Sequence, residues 1–277
     1  MFTIKDGVLI KYCGKGGCVQ VPEGVIEIAD GVFAESLDLT FNIGVNHFEP
    51  RNAENAEINE VILPRSLKKI GNSAFYGCQK LTKINIPVNV ETIGIEAFAG
   101  CVSLREIYFD AKRCEADYIH SYSSLRPINA FASSGQNENG IKLTVGKNVE
   151  QFPDSVFVMT QFSHSLNYKV PVHLYLYPEG FPKITELCFE DGLNPDVVCQ
   201  ICASLDCYFC PNFLQVVQIS SDNRFDIFDV IKNLLLANKQ EKQLFSLPLP
   251  PLKGAWSGRT VTLQYNYLSE LSCKYRI

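Results

Sequence analysis

The segment INEVILPRSLKKIGNSAFYGCQK (58–80) is followed directly by LTKINIPVNVETIGIEAFAGCVS (81–103), and the two align residue for residue at a period of 23. A unit this short cannot bury its apolar face alone, so neighbouring copies must stack into one continuous core. The shared positions are apolar, proline, glycine or cysteine: Ile58/Leu81, Val61/Ile84, Leu63/Ile86, Pro64/Pro87, Leu67/Val90, Ile70/Ile93, Gly71/Gly94, Phe75/Phe98 and Cys78/Cys101.

Weaker copies extend this repeat in both directions. The first covers Val19 to Ser36, a third copy begins at Leu104 and then degenerates, and later fragments follow. Uneven spacing of one marker position predicts insertions near 37–57, 110–139 and 158–182. We therefore expect a solenoid over residues 1–220. The marker residues are Val21, Leu63, Ile86, Phe109, Val145, Phe189 and Ile219.

The residue pattern inside one repeat predicts its local structure. Alternation of Ile84 and Ile86 with polar residues is typical of a short strand that turns one side inward. Pro87 lacks an N–H and is expected to end that strand. Gly94 lies where a turn needs a residue without Cβ. The EAF that follows predicts a short helical or 3₁₀ turn that buries Phe98.

The outward row of the repeat strands is the predicted binding surface. If Ile84 and Ile86 point inward, the alternate residues of each strand point to solvent. An exposed isoleucine beside a tyrosine and mixed charges would suit a protein-binding concave face, while an ordinary solvated sheet is the alternative. The candidate residues are Glu60, Ile62, Lys83, Asn85, Glu106 and Tyr108.

These repeats resemble the BspA-like (treponemal-type) leucine-rich repeats, which are found mainly in bacteria. INEVILPRSLKKIGNSAFYGC and LTKINIPVNVETIGIEAFAGC are similar to that family's unit almost throughout, and GKGGCVQVPEGVIEIADGVFAES (14–36) is similar to its first repeat. The resemblance implies an α/β repeat fold, a right-handed leucine-rich-repeat solenoid with a parallel sheet. It also implies a role in protein contacts, often in surface or adhesion proteins.

The pattern changes after residue 190. Asn194-Pro195-Asp196 predicts a helix start, with a capping asparagine and proline at the first helical position. Helix is predicted for 197–205, strand around 214–219, an amphipathic helix at 221–243, an extended Pro-rich connector at 246–253 and a final strand at 259–268. Since solenoids need terminal caps, we expect 221–277 to form a C-terminal α+β cap.

Four cysteines carry the sharpest chemical pattern, Cys199-x2-Cys202-x4-Cys207-x2-Cys210. Paired CxxC knuckles are a thiolate frame for tetrahedral zinc, but zinc ribbons place about 15–20 residues between knuckles. Packed thiols are the favoured interpretation, so no metal and no cofactor is predicted. Cys78 and Cys101 share one repeat position and are expected to stack as buried thiols.

No other motif predicts catalysis. GKGG (14–17) lacks phosphate-loop spacing and a following helix, and GAWSG (254–258) is not a nucleophile elbow. The histidines are spread over the three predicted insertions without a catalytic spacing, and PLPPLK (248–253) matches a proline-rich ligand but also a stiff connector. We therefore predict that the protein is not an enzyme. The histidines are His47, His120, His164 and His173.

Composition limits the classes of partner. The 277 residues are 46% hydrophobic and 20% charged, with 11 cysteines, which excludes wholesale disorder. A formal charge of -5 argues against a nucleic-acid partner, and no apolar run reaches the length of a membrane span. Lys5, Asp6 and Lys11 interrupt any signal-like run, so a cytoplasmic location is expected. The alternative is a secreted or surface protein whose signal was removed.

The sequence as a whole favours a non-enzymatic leucine-rich-repeat scaffold. Its partner is expected to be a protein of unknown identity, bound through the sheet face and the insertion loops. Two alternatives remain at this point. One is a metal- or redox-responsive module at Cys199–Cys210, and the other is a bacterial surface adhesin.

Overall fold

The computed structural model describes residues 2–34, 57–116, 129–137, 139–157, 182–203, 216–220 and 260–264. Strands dominate these ranges, and the helices are α1 (Asp154–Phe157) and α2 (Pro195–Ala203). The strands are β1 (Phe2–Lys5), β2 (Val8–Tyr12), β3 (Gly17–Gln20), β4 (Glu27–Ile28), β5 (Ile58–Ile62), β6 (Lys69–Ile70), β7 (Lys83–Ile86), β8 (Thr92–Ile93), β9 (Glu106–Phe109), β10 (Glu115–Ala116), β11 (Ile141–Val145), β12 (Ile184–Phe189), β13 (Val216–Ser220) and β14 (Thr260–Gln264).

The larger sheet has the strand order β14-β13-β12-β11-β9-β7-β5-β3. Its strands pair in parallel, apart from the antiparallel pair β13–β14. The register places Val61 beside Ile84 and Ile84 beside Ile107, then continues through Leu143 and Leu187. The repeat alignment made from the sequence is thereby confirmed as the register of a parallel sheet.

The smaller sheet has the order β1-β2-β4-β6-β8-β10, in which an antiparallel hairpin, β1–β2, precedes four parallel two-residue strands. Each turn from β3 to β10 therefore gives one strand to each sheet, and the buried side chains lie between them. Paired strands lie about 4.8 Å apart in either sheet. The two sides of these turns advance equally, so the array is expected to be nearly straight here.

A column of aromatic rings runs through the core. Phe75 stacks on Phe33 and on Phe98 at centroid distances of 4.7 and 5.0 Å, with interplanar angles of 5° and 2°. Phe98 in turn stacks on Phe131 at 4.7 Å, and Phe131 on Phe157 at 5.2 Å. Offset stacking adds about 0.5–1.5 kcal/mol per pair to the burial of the rings. Ring contacts extend the column to Phe2, Tyr12 and Phe152.

The repeated cysteines form a ladder beside this column, as predicted. The Cys78 and Cys101 thiols are fully buried, and each donates a hydrogen bond to a phenylalanine carbonyl of the preceding turn, at 3.2 and 3.3 Å. In the next turn the Ser134 hydroxyl donates to the carbonyl of Phe98 at 2.6 Å. Burial raises the pKa of the Cys101 thiol far above its usual value. These groups therefore satisfy buried acceptors as neutral donors.

The predicted helical or 3₁₀ turn is present as single hydrogen-bonded turns and not as a helix. Residues 72–77 form hydrogen-bonded turns, in which the N–H groups of Tyr76 and Cys78 bond three residues back within the turn. The N–H groups of Phe75 and Gly77 instead donate to carbonyls of the next turn, at 2.7 and 2.8 Å. Because alternate donors bond between turns, no run of intrahelical bonds can form.

The repeated glycines are needed for a reason other than the one expected. Neither Gly71 nor Gly94 has a positive φ. A Cβ on Gly94 would instead lie 2.5 Å from the carbonyl carbon of Gly71, and one on Gly71 would lie 2.7 Å from that of Ala29. These positions lack a side chain because the backbone of the preceding turn passes against them.

The insertion predicted near 110–139 is narrower than expected. Strand β10 (Glu115–Ala116) pairs with β8, and the N–H of Phe98 donates to the carbonyl of Ala130 at 2.7 Å. Both ends of this stretch thus belong to regular turns, and only 117–128 lies between them, outside the described residues. The insertions predicted near 37–57 and 158–182 lie almost wholly outside them.

The C-terminal part is described in pieces. Helix α2 starts as predicted, since the Asn194 side chain accepts a hydrogen bond from the N–H of Asp196 at 2.9 Å. The two predicted strands are present as β13 and β14. Residues 221–243 and 246–253 lie outside the described residues, so the cap over 221–277 stays a prediction.

Candidate functional site

Eight outward residues of β5, β7, β9 and β11 form what we term the open face. Their strands alternate buried and solvent-facing residues, which places all six predicted candidates on this side. Lys142 and Thr144 of β11 were missed, although inward Leu143 and Val145 imply them by alternation. The open face consists of Glu60, Ile62, Lys83, Asn85, Glu106, Tyr108, Lys142 and Thr144.

One row of the open face alternates in charge. The strand register places Glu60 beside Lys83, Lys83 beside Glu106, and Glu106 beside Lys142. The Lys83 ammonium lies 3.4 Å from the Glu106 carboxylate, with 45% and 60% of the two side chains exposed. Such an exposed pair contributes at most about 1 kcal/mol. The row therefore leaves charges available to a partner.

The second row is uncharged and holds Ile62, Asn85, Tyr108 and Thr144. Ile62 is 46% exposed and adds an aliphatic side chain to this row. A shallow depression of about 410 Å³ lies over β7, β9 and β11. Its lining comprises Lys83, Asn85, Glu106, Ile107, Tyr108, Lys142 and Thr144.

Tyr108 is held in place by a residue that sequence reasoning missed. Its hydroxyl donates to the Glu190 carboxylate at 2.6 Å, and the same oxygen accepts the N–H of Lys147 at 2.8 Å. Partial burial and then this hydrogen bond raise the pKa of the Tyr108 phenol well above its usual value. Tyr108 and Glu190 are 82 residues apart, so no local pattern in the sequence indicates the contact.

Two exposed cysteines lie at one end of the array, on either side of the GKGG turn. Cys18 belongs to β3 of the large sheet and is in register with Glu60 of β5. Desolvation, and then the negative charge of Glu60, raise the pKa of the Cys18 thiol. The turn leads into strand β3 and not into a helix, which agrees with the prediction that it is no phosphate loop.

The predicted thiolate frame is only partly described. Cys199 and Cys202 belong to helix α2, three residues apart, whereas Cys207 and Cys210 lie outside the described residues. Among the residues that are described, no group of three or more cysteine, histidine or acidic side chains could hold a metal ion. Packed thiols stay the prediction for this cluster, and zinc stays the alternative. The four histidines, GAWSG and PLPPLK also lie outside the described residues.

Residues 9–117 match the family model for the BspA type leucine rich repeat region, in six copies. The matched range contains the open face from β5 to β9 and the stacked rings from Tyr12 to Phe98. This segment is a BspA-type leucine-rich repeat array. The leucine-rich-repeat fold expected from the resemblance is therefore confirmed for these turns, and repeats of this kind suggest a scaffold for protein interaction or a surface protein.

Two solved structures show a distant likeness. A leucine rich repeat protein of T. pallidum is 18% identical over 68% of this chain and 67% of its own, with a TM-score of 0.38. A leucine rich cell surface protein of Faecalibacterium prausnitzii A2-165 is 16% identical over 69% of this chain and 41% of its own, with a TM-score of 0.34. Comparison with the curated proteins gave no match. Neither helix in the described ranges is long and apolar enough to cross a membrane.

Proposed function

We propose that the protein is a non-enzymatic scaffold that binds another protein through the open face, with the insertion loops near 37–57, 110–139 and 158–182 extending the contact. The exposure of Ile62 beside the depression around Tyr108 carries this proposal. Exposed aliphatic and aromatic side chains surrounded by charges are typical anchors of a protein interface.

The ionisable groups of the open face suit binding better than catalysis. Tyr108 has a raised pKa, so its phenol stays protonated near neutral pH and cannot accept a proton there. Its hydroxyl hydrogen is already donated to Glu190. Lys83 and Glu106 neutralise each other at 3.4 Å while remaining largely in solvent. Charges of this kind steer a partner and fix its register.

Two further features belong to this proposal. The connection between two parallel strands of one sheet is right-handed in almost every protein, which supports a right-handed solenoid here. Antiparallel β14 interrupts the parallel order at one edge of the large sheet, which supports a C-terminal cap over 221–277. A cytoplasmic location is also proposed, because the Cys101 and Cys114 thiols are buried and a reducing compartment keeps such thiols unoxidised.

Capture of binding proteins by the immobilised full chain tests the function. The variant Ile62→Asp should lose the captured protein, because a carboxylate cannot replace an apolar anchor. Ile26→Asp is the matched control, since Ile26 is 44% exposed but adjoins β4 in the other sheet. Equal capture by the native, Ile62→Asp and Ile26→Asp chains would contradict the proposal.

A further inference from the structure

The charge row of the open face is complementary to itself. Across four neighbouring strands the signs read negative, positive, negative, positive at Glu60, Lys83, Glu106 and Lys142. We propose that the open face binds the open face of a second copy of this chain, about a twofold axis parallel to the strands and between β7 and β9. This inference rests on the proposed function and names its partner.

The symmetry operation pairs every charge with its opposite. An axis parallel to the strands keeps each row facing the same row, while β7 comes to lie opposite β9 and β5 opposite β11. Lys83 then faces Glu106 of the second copy, and Glu60 faces Lys142. Each pair occurs twice, as an isologous interface requires. A register shifted by one strand would place like charges together, and a register shifted by two strands would bring β12, whose Cys188 is buried, into the contact.

The uncharged row fits the same arrangement. Asn85 lies opposite Tyr108, and Ile62 lies opposite the methyl group of Thr144. The Tyr108 hydroxyl is already bonded to Glu190 and presents its ring rather than an unpaired polar atom. Ile62, which is 46% exposed in one chain, becomes covered. No like charges meet in this row.

The shape of the array permits the contact. A strongly concave sheet could not lie against a copy of itself, but equal strand spacing on both sides keeps the turns from β3 to β10 nearly straight. Two sheets pack face to face at about 10 Å, a separation that lysine and glutamate side chains on opposite faces can bridge. Glu186 of β12, in register with Lys142, continues the alternation of charge, but Cys188, in register with Thr144, is buried, so the uncharged row of the contact ends at β11.

The contact is small, and its strength is set mainly by charge. Four strands and two rows cover on the order of 200 Å² of sheet, against about 800 Å² per partner in a stable interface. We therefore expect a dissociation constant on the order of 0.1–1 mM at low ionic strength and weaker association in added salt.

A charge-exchange experiment tests the inference without relying on loss of folding. In the full-length variant Lys83→Glu, and separately in Glu106→Lys, like charges meet at the twofold axis, so neither should associate with itself. In an equal mixture the substituted residues of the two chains attract each other, and the heterodimer should form. Sedimentation at about 0.3 mM protein and low salt, a concentration near the expected dissociation constant, measures all three samples beside the native chain.

Zero-length carbodiimide coupling of lysine to carboxylate gives a second readout. Glu60 and Lys142 lie three strands apart in one chain, about 14 Å, so a Glu60–Lys142 product requires a second copy. Lys68 and Glu91 of the other sheet, at 3.1 Å, serve as the intramolecular control. We expect the Glu60–Lys142 product in the native chain and in the mixture, and its loss in either variant alone.

Several results would overturn the inference: a native chain that stays monomeric with no Glu60–Lys142 product, a single variant that self-associates like the native chain, or a mixture that does not associate. If association fails while Ile62→Asp still abolishes capture of a different protein, only this inference fails. If association fails and Ile62→Asp also leaves capture unchanged, both this inference and the proposed function fail.

Discussion

Replacing Phe98 with leucine interrupts the aromatic column at its centre. The ring is fully buried and stacks on Phe75 at 5.0 Å and on Phe131 at 4.7 Å. Two lost ring pairs amount to about 1–3 kcal/mol, and imperfect filling of the site adds about 1 kcal/mol. We therefore expect the free energy of unfolding to fall by about 2–4 kcal/mol.

Urea denaturation of the full chain measures this loss. With an m-value of about 3 kcal/mol per molar, the midpoint should fall by about 1 M. Leu104→Met is the control, because Leu104 is equally buried in the same core and a volume-conserving swap costs less than about 1.5 kcal/mol. If the two variants unfold at the same urea concentration with unchanged m, stacking adds nothing to burial and the reasoning is refuted.

Three further experiments test other features. Gly94→Ala should destabilise the chain by about 1–3 kcal/mol in the same assay, because its Cβ would meet the backbone of the preceding turn; an unchanged midpoint would contradict this. Cys101→Ser should cost less than Cys101→Val, since serine keeps a donor for the buried carbonyl, by about 1 kcal/mol or more; the reverse order would count against the hydrogen bond. Glu60→Gln should lower the raised pKa of Cys18 and speed its alkylation at pH 8, measured by mass spectrometry; an unaltered rate would exclude the influence of Glu60.

The strand register could be predicted because it depends on side chains that repeat. Ile84 and Ile107 occupy the same inward position, and burial of one face allows only one register. The hydrogen bonding between turns could not be predicted in the same way. These hydrogen bonds depend on the backbone of the adjacent turn. The sequence before Phe98 therefore predicts a helical turn, whereas the structure has single turns that are bonded to the neighbouring turn.

The candidate site was predictable to a similar extent. Alternation along the strands indicates the outward residues, and Lys142 follows from the same rule once β11 is aligned with β9. The contact of Tyr108 with Glu190 depends on how β12 ends beside β11, which no local pattern encodes. The stacking of Phe131 on Phe98 could not be predicted either. The repeat does not determine the length of the segment that connects Phe131 to the preceding turn.

The stacked rings also bear on how such a chain can lengthen during evolution. Segments 58–80 and 81–103 each contain a phenylalanine that stacks on the rings of the turns before and after it. Each also contains a cysteine whose thiol donates to a phenylalanine carbonyl of the preceding turn. Duplication of one such segment in the gene would therefore create two junctions identical to those already present. The number of turns can therefore change without altering the contacts between them, whereas the hairpin β1–β2 has no repeated counterpart among the described strands.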